Sequence, residues 1–80
     1  MAAPHAIHEE FPDDAQVIHD LKLSDPRFAR LLAEYDVIND EVVAAETLVK
    51  PTDPDHETEI RRRRVQLKDQ IAQAIAGARS

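Results

Sequence analysis

The longest regular pattern of apolar residues predicts a helix from Pro26 to about Val49. Apolar side chains recur there at alternating spacings of three and four residues, with no glycine or proline after Pro26. This is the heptad repeat of a helix that buries one stripe against a partner helix. The stripe consists of Phe28, Leu31, Tyr35, Ile38, Val42, Ala45 and Val49.

A second long helix is predicted from Pro54 to about Ala76, followed by Gly77 as its C-terminal signal. Asp25-Pro26 and Asp53-Pro54 each place an acidic N-cap before a proline at the first helical position, where the missing N–H is not needed. About four residues join the two helices, and a connection this short makes them antiparallel. We therefore predict an all-α, coiled-coil-like helical hairpin. The second stripe consists of Ile60, Arg64, Leu67, Ile71, Ala74 and Ala78.

The chain before the hairpin is predicted to hold one short helix, from about residue 13 to 23. Asp13 and Gln16 have the spacing of a capping box. The apolar stripe of this helix is too short to stabilise it alone, so we expect it to dock at the open end of the hairpin. Residues 1–11 show no apolar period and are predicted to be a disordered tail, which leaves a hairpin domain over residues 12–78.

The predicted register of the hairpin follows from the position of its turn. If the turn centres near Thr52, Ile38 and Val42 face the part of the second helix that holds Arg64 and Leu67. The start of the first long helix then faces residues 74–75, near the docking site of the short helix.

Composition narrows the possible chemistry. The chain has no cysteine and one glycine, which excludes disulfides, thiolate metal sites and glycine-rich phosphate loops. The four histidines have no helical metal-ligand spacing. No membrane-spanning run and no secretory signal is recognisable. We therefore predict one small cytoplasmic domain with no cofactor, metal or catalytic site.

Charge is distributed unevenly along the chain. Residues 1–60 carry a net charge of −11, whereas residues 61–80 carry +5. Four of the six cations in residues 61–80 are Arg61, Arg62, Arg63 and Arg64. Four successive helical residues point around most of the helix axis, so they do not form one surface stripe.

We interpret this arginine run as pairing mainly within the protein. Facing acids would be Asp36, Asp40, Glu41 and Glu46, with helical pairs from Glu57 to Arg61 and from Glu59 to Arg63. The Arg64 stem is expected to lie along Ile38 with its head turned outward. An acidic protein partner and nucleic acid are the alternatives, and the acidic remainder of the chain would repel phosphate.

Several apolar residues lie off the two stripes, and they suggest self-association. They could thicken the core, or they could form a surface on which two hairpins make a four-helix bundle. A chain this small buries little core, which favours the second interpretation. The candidate interaction surface comprises Arg61, Arg62, Arg63, Leu32, Val43 and Val65.

The predicted function is therefore a non-enzymatic protein–protein interaction module, a dimer of hairpins with a further unknown protein partner. The alternative is a nucleic-acid-binding accessory protein that uses Arg61 to Arg64.

Two short motifs resemble a known family. Leu21-Lys22-x-Ser24-Asp25-Pro26-x-Phe28-x-Arg30-Leu31 and the later Leu67-Lys68-Asp69-x-Ile71 resemble the YdcH-like family of short bacterial proteins, a domain of unknown function. The similarity covers roughly residues 14–76. It implies a helical hairpin and a bacterial, cytosolic source, and it brings no catalytic or binding residue.

Overall fold

The described part of the chain is entirely helical in its regular structure, which confirms the all-α prediction. The structure, a computed structural model, describes residues 5–47 and 53–79. Its elements are α1 (Ile7–Glu10), a 3₁₀ turn (Pro12–Asp14), α2 (Ala15–Ser24), α3 (Pro26–Glu46) and α4 (Pro54–Arg79).

Helices α3 and α4 run antiparallel, as their facing residues show. Glu34 in α3 binds Arg63, and Glu46, later in α3, meets Arg61, earlier in α4. Along the interface, residue numbers therefore rise in α3 where they fall in α4. This is the hairpin arrangement that the short connection predicted.

Both long helices begin at the predicted aspartate caps. The Asp25 carboxylate accepts hydrogen bonds from the N–H groups of Arg27 at 2.9 Å and Phe28 at 3.4 Å. The Asp53 carboxylate accepts from the N–H of Asp55 at 3.3 Å. Each carboxylate satisfies first-turn donors that have no partner inside the helix, and the proline that follows fixes where the helix starts.

The core follows the predicted stripes at most positions, and departures include Asn39 for Ile38 and Ile75 for Ala74. The largest fully buried side chains are Tyr35, Phe28, Leu67, Ile71, Ile75 and Val42. Asn39, not Ile38, occupies the centre of the seam in α3, where it is only 3% exposed. Ile38 packs at the margin of the core. A straight helix has 3.6 residues per turn, so a strict heptad drifts off the buried face within a few turns.

The N-terminal segment, residues 5–24, differs in part from its prediction. Residues 5–11 do not form a disordered tail: Ile7 is 7% exposed within the core, and Phe11 packs against it. These two side chains lie one helical turn apart and both reach the hairpin. Helix α2 docks on α3 and α4 as predicted, through Val17, Ile18 and Leu21.

Two predicted helix signals and one predicted seam residue do not fit the structure. The Asp13 capping box does not form, because Pro12–Asp14 makes a 3₁₀ turn and the Gln16 amide donates to Asp20 instead. Gly77 does not end α4, which continues to Arg79, and its φ is not positive. Ala78, predicted for the seam, is exposed. The predicted end of α3 at Val49 lies outside the described residues.

Candidate interaction surface

The arginine run is divided among different partners. Arg61 meets Glu57 at 3.2 Å, the predicted helical pair, and reaches Glu46 across the hairpin at 3.6 Å. Arg63 donates from Nε to Glu34 at 3.0 Å, with a second contact from Nη2. The prediction that Arg63 pairs with Glu59 is therefore wrong, because the facing helix offers a carboxylate that both guanidinium donors can reach.

Arg64 points inward, contrary to the prediction that its head turns outward. Its Nη1 donates to the Oδ1 atom of the buried Asn39 at 3.2 Å. A buried amide is costly without a hydrogen-bond partner, so this contact offsets the cost of placing Asn39 in the seam. A polar pair of this kind favours one register of two helices over the alternatives.

Arg62, like Arg61, is exposed. It lines a shallow cleft with Glu41, His56 and Glu59, floored by Ile38 and Ile60. Glu41, a predicted partner of the arginines, pairs instead with His56 at 3.5 Å. Within residues 5–47 and 53–79, Arg62 makes no ion pair. The run therefore offers solvent one unpaired guanidinium rather than a continuous basic patch.

The apolar members of the predicted surface do not form one patch. Leu32 packs against the core and lines a cleft beneath α1 and α2. Val43 is half-buried on α3. Val65 is 55% exposed and points away from the seam, since it lies two residues from the buried Leu67. Val37, 59% exposed, occupies the corresponding outer face of α3.

A different set of contacts joins the N-terminal segment to the hairpin. The Tyr35 hydroxyl donates to the backbone oxygen of His5 at 2.5 Å. The Glu10 carboxylate lies 3.1 Å from His5 Nδ1 and 3.2 Å from the Lys68 ammonium nitrogen. Further along, Asp14 meets Arg79 at 3.4 Å. Sequence reasoning missed these contacts, and the spacing of Ile7 and Phe11 was the available signal.

Two ionisable groups in this contact have altered pKa values. The hydrogen bond with His5 lowers the pKa of Glu10, and Lys68 lowers it further against the opposing effect of burial. Burial raises the pKa of Tyr35, since the phenolate would lose its hydration. Both pKa shifts favour the states that hold the segment in place at neutral pH, which are the ionised Glu10 carboxylate and the protonated Tyr35 hydroxyl.

Neither a candidate metal-ligand group nor a candidate membrane-spanning helix occurs among the residues that the structure describes. No three His, Cys, Asp or Glu side chains there are grouped so that they could hold a metal ion. None of the described helices combines the length and the apolar content that crossing a membrane would require.

One family model matches the chain. Its description is "Protein of unknown function (DUF465)", and it covers residues 28–75, more than half of the sequence. The match begins at the buried Phe28 of α3 and ends at the buried Ile75 of α4. It therefore covers the hairpin and leaves out the N-terminal segment. Neither a curated protein nor a solved structure matches the chain.

Proposed function

We propose that this chain, which belongs to the DUF465 family of proteins of unknown function, is a small non-enzymatic interaction module that self-associates. The proposal includes a bacterial cytoplasmic setting, which the resemblance to YdcH-like proteins supports.

The observation that carries the proposal is the narrow core. The hairpin holds together through a single seam, with one line of buried side chains in each long helix. Domains of this size usually need a disulfide, a structural metal or an association to reach ordinary stability. The sequence has no cysteine, so association is the favoured source of additional stability.

Exposed apolar side chains agree with this interpretation. Val37 and Val65 lie on the outer faces of the two long helices, and Leu23 at the end of α2 is 75% exposed. Single exposed valines are ordinary in monomeric proteins. Exposed on the outer faces of both long helices, they are available for contact with a second copy.

Self-association is tested by measuring mass and stability against protein concentration. Sedimentation equilibrium should show the dimer mass at high concentration and the monomer mass on dilution. The thermal midpoint should rise with concentration, because association stabilises the folded state by mass action. A monomer mass and a constant midpoint over the whole range would contradict the proposal.

Nucleic-acid binding is the second candidate function, and the unpaired Arg62 favours it. A duplex or RNA should then be retarded at about 50 mM salt, with affinity falling steeply as salt rises. Arg62→Gln should abolish the shift. The matched control is Gln66→Ala, which truncates an uncharged side chain in the same cleft. We expect no shift with the wild-type protein, because phosphate would meet one free arginine among carboxylates.

A further inference from the structure

We propose that two copies of this chain associate by exchanging their N-terminal segments. The N-terminal segment is defined as residues 5–24, and the groove is the surface of α3 and α4 on which it lies. In the exchanged dimer the N-terminal segment of each copy occupies the groove of the other. This inference rests on the proposed function, since it names the surface and the partner of the self-association.

The groove and the N-terminal segment are complementary in apolar surface. The groove is floored by fully buried side chains of both long helices, and the segment contributes apolar residues from each of its parts. The floor consists of Phe28, Tyr35, Leu67, Ile71 and Ile75, and the segment residues against it are Ile7, Phe11, Val17, Ile18 and Leu21.

The two surfaces are also complementary in charge. Both cations of the contact, Lys68 and Arg79, come from α4, and both carboxylates, Glu10 and Asp14, come from the N-terminal segment. The groove is thus an apolar surface with a basic edge in a chain whose net charge is −6. It suits an acidic amphipathic segment, and a second copy carries an identical one.

A single residue joins the N-terminal segment to the hairpin. Helix α2 ends at Ser24 and α3 begins at Pro26, which leaves Asp25 between them with φ −126° and ψ 103°. Pro26 disfavours a helical conformation at Asp25, so the two helices do not fuse into one. Rotation about the backbone bonds of this residue redirects α2 as a unit and leaves the hydrogen bonds within each helix intact.

The N-terminal segment depends on a groove for its structure. Neither α1, nor the 3₁₀ turn, nor α2 has a side-chain hydrogen bond at its N-terminal cap. Helices this short and uncapped are unstable alone in water. The groove of a second copy offers every contact that the chain's own groove offers, which makes exchange an inexpensive route to a dimer.

Reversing the charges of the contact tests the exchange directly. The groove variant carries Lys68→Glu and Arg79→Glu, and the segment variant carries Glu10→Lys and Asp14→Lys. Either variant by itself places like charges on the segment and the groove, whether the segment docks on its own chain or on an identical copy. In an exchanged heterodimer both grooves become matched, since the acidic segment meets the basic groove and the basic segment meets the acidic groove.

The two variants are unfolded together in urea, refolded, and examined by native mass spectrometry with one of them isotope-labelled. If matched charges favour docking about tenfold in each groove, the two matched grooves together favour the heterodimer about hundredfold, and heterodimers should make up nearly all of the dimers. The matched control carries all four substitutions in one chain, which restores complementarity, and it should associate as the wild type does.

Each outcome decides the question. A clear excess of heterodimer supports exchange. If each variant fails to fold by itself, helicity that returns only when the two are mixed also supports exchange. Heterodimers at the statistical one-half would overturn exchange and leave self-association through another surface. Wild-type protein that stays monomeric would overturn the proposed function as well. If both variants and their mixture stay unfolded, the test is repeated with the single contact between Lys68 and Glu10. One variant then carries only Lys68→Glu and the other only Glu10→Lys. A mixture of these two without an excess of heterodimer overturns exchange.

Discussion

The hydrogen bond from Tyr35 to the backbone of His5 offers a direct measure of how firmly the N-terminal segment is held. Tyr35→Phe removes only the hydroxyl that donates to His5 at 2.5 Å and keeps the fully buried ring. Packing in the core therefore stays the same. Any change reports on the link between the segment and the hairpin.

The expected magnitude follows from the surroundings of the two atoms. A hydrogen bond of this kind contributes about 0.5–1.5 kcal/mol to stability. His5 is exposed, so its carbonyl can bind water once the hydroxyl is gone. No buried group is left without a partner, and the cost should stay near 1 kcal/mol. That corresponds to about a fivefold increase in the population with the segment undocked.

Amide hydrogen exchange measures this effect in the segment itself. Amides in α2 and at Phe11 should exchange about fivefold faster in the variant, because undocking exposes them. Amides near Leu67 in α4 that exchange only on global unfolding should be accelerated by no more than the same factor, since the native state loses one bond relative to every state that lacks it. Tyr35→Ala is the contrasting variant, because loss of the ring costs about 3–5 kcal/mol and should accelerate exchange throughout by a much larger factor. Equal protection of the segment in Tyr35→Phe and wild type would refute the reasoning.

Three further predictions concern the hairpin. Burial raises the pKa of Tyr35. The contribution of the protonated Tyr35 to stability is therefore complete below the pKa of the unfolded state, about 10, and is lost as pH rises through the higher pKa of the folded state. Since the chain has one tyrosine and no tryptophan, the phenolate absorbance of Tyr35 should appear together with loss of helicity. Asp25→Ala should cost on the order of 1 kcal/mol and lower the melting midpoint by about 4–8 °C, and melts that superimpose with wild type would show that the cap contributes nothing. Leu67→Asp should unfold the hairpin by burying an unpaired charge, whereas Ile38→Asp at the margin should be milder, and equal effects in circular dichroism would contradict the assigned seam.

The hairpin was predictable because its signals are local. The aspartate and proline that start each long helix act within one turn, so they could be read without knowledge of the fold. The same holds for the pair of Glu57 and Arg61, whose distance is set by the helix itself. The antiparallel arrangement needed only the length of the connection.

The features that were not predictable depend on geometry between elements. Asn39 displaces Ile38 from the seam because the helical period decides which of two neighbours faces the partner helix. Arg63 prefers Glu34 to the nearer position in sequence, Glu59, because α3 brings that carboxylate within reach. The spacing of Ile7 and Phe11 is one helical turn, but the sequence does not show the groove of α3 and α4 in which Ile7 is buried.

The uneven charge of the sequence has a structural explanation in α4. Arg61 and Arg63 meet carboxylates on α3, and Lys68 and Arg79 meet carboxylates on the N-terminal segment. One basic helix thus pairs with two acidic elements, with its cations spread along its length. Partly exposed pairs contribute only about 0.2–1 kcal/mol each, so they orient the acidic elements while the apolar seam holds them.

The same arrangement limits what an external anion could gain. A phosphate that approached Arg61 or Arg63 would have to displace a carboxylate already bound, and it would meet the repulsion of the acidic elements around them. Nucleic-acid affinity grows with the number of phosphates neutralised. Arg62, the member of the run that pairs with none of the described residues, supplies one such contact. The positive charge of α4 is therefore better suited to contacts with the acidic elements of this protein than to contacts with nucleic acid. A second copy of the chain carries the same acidic elements.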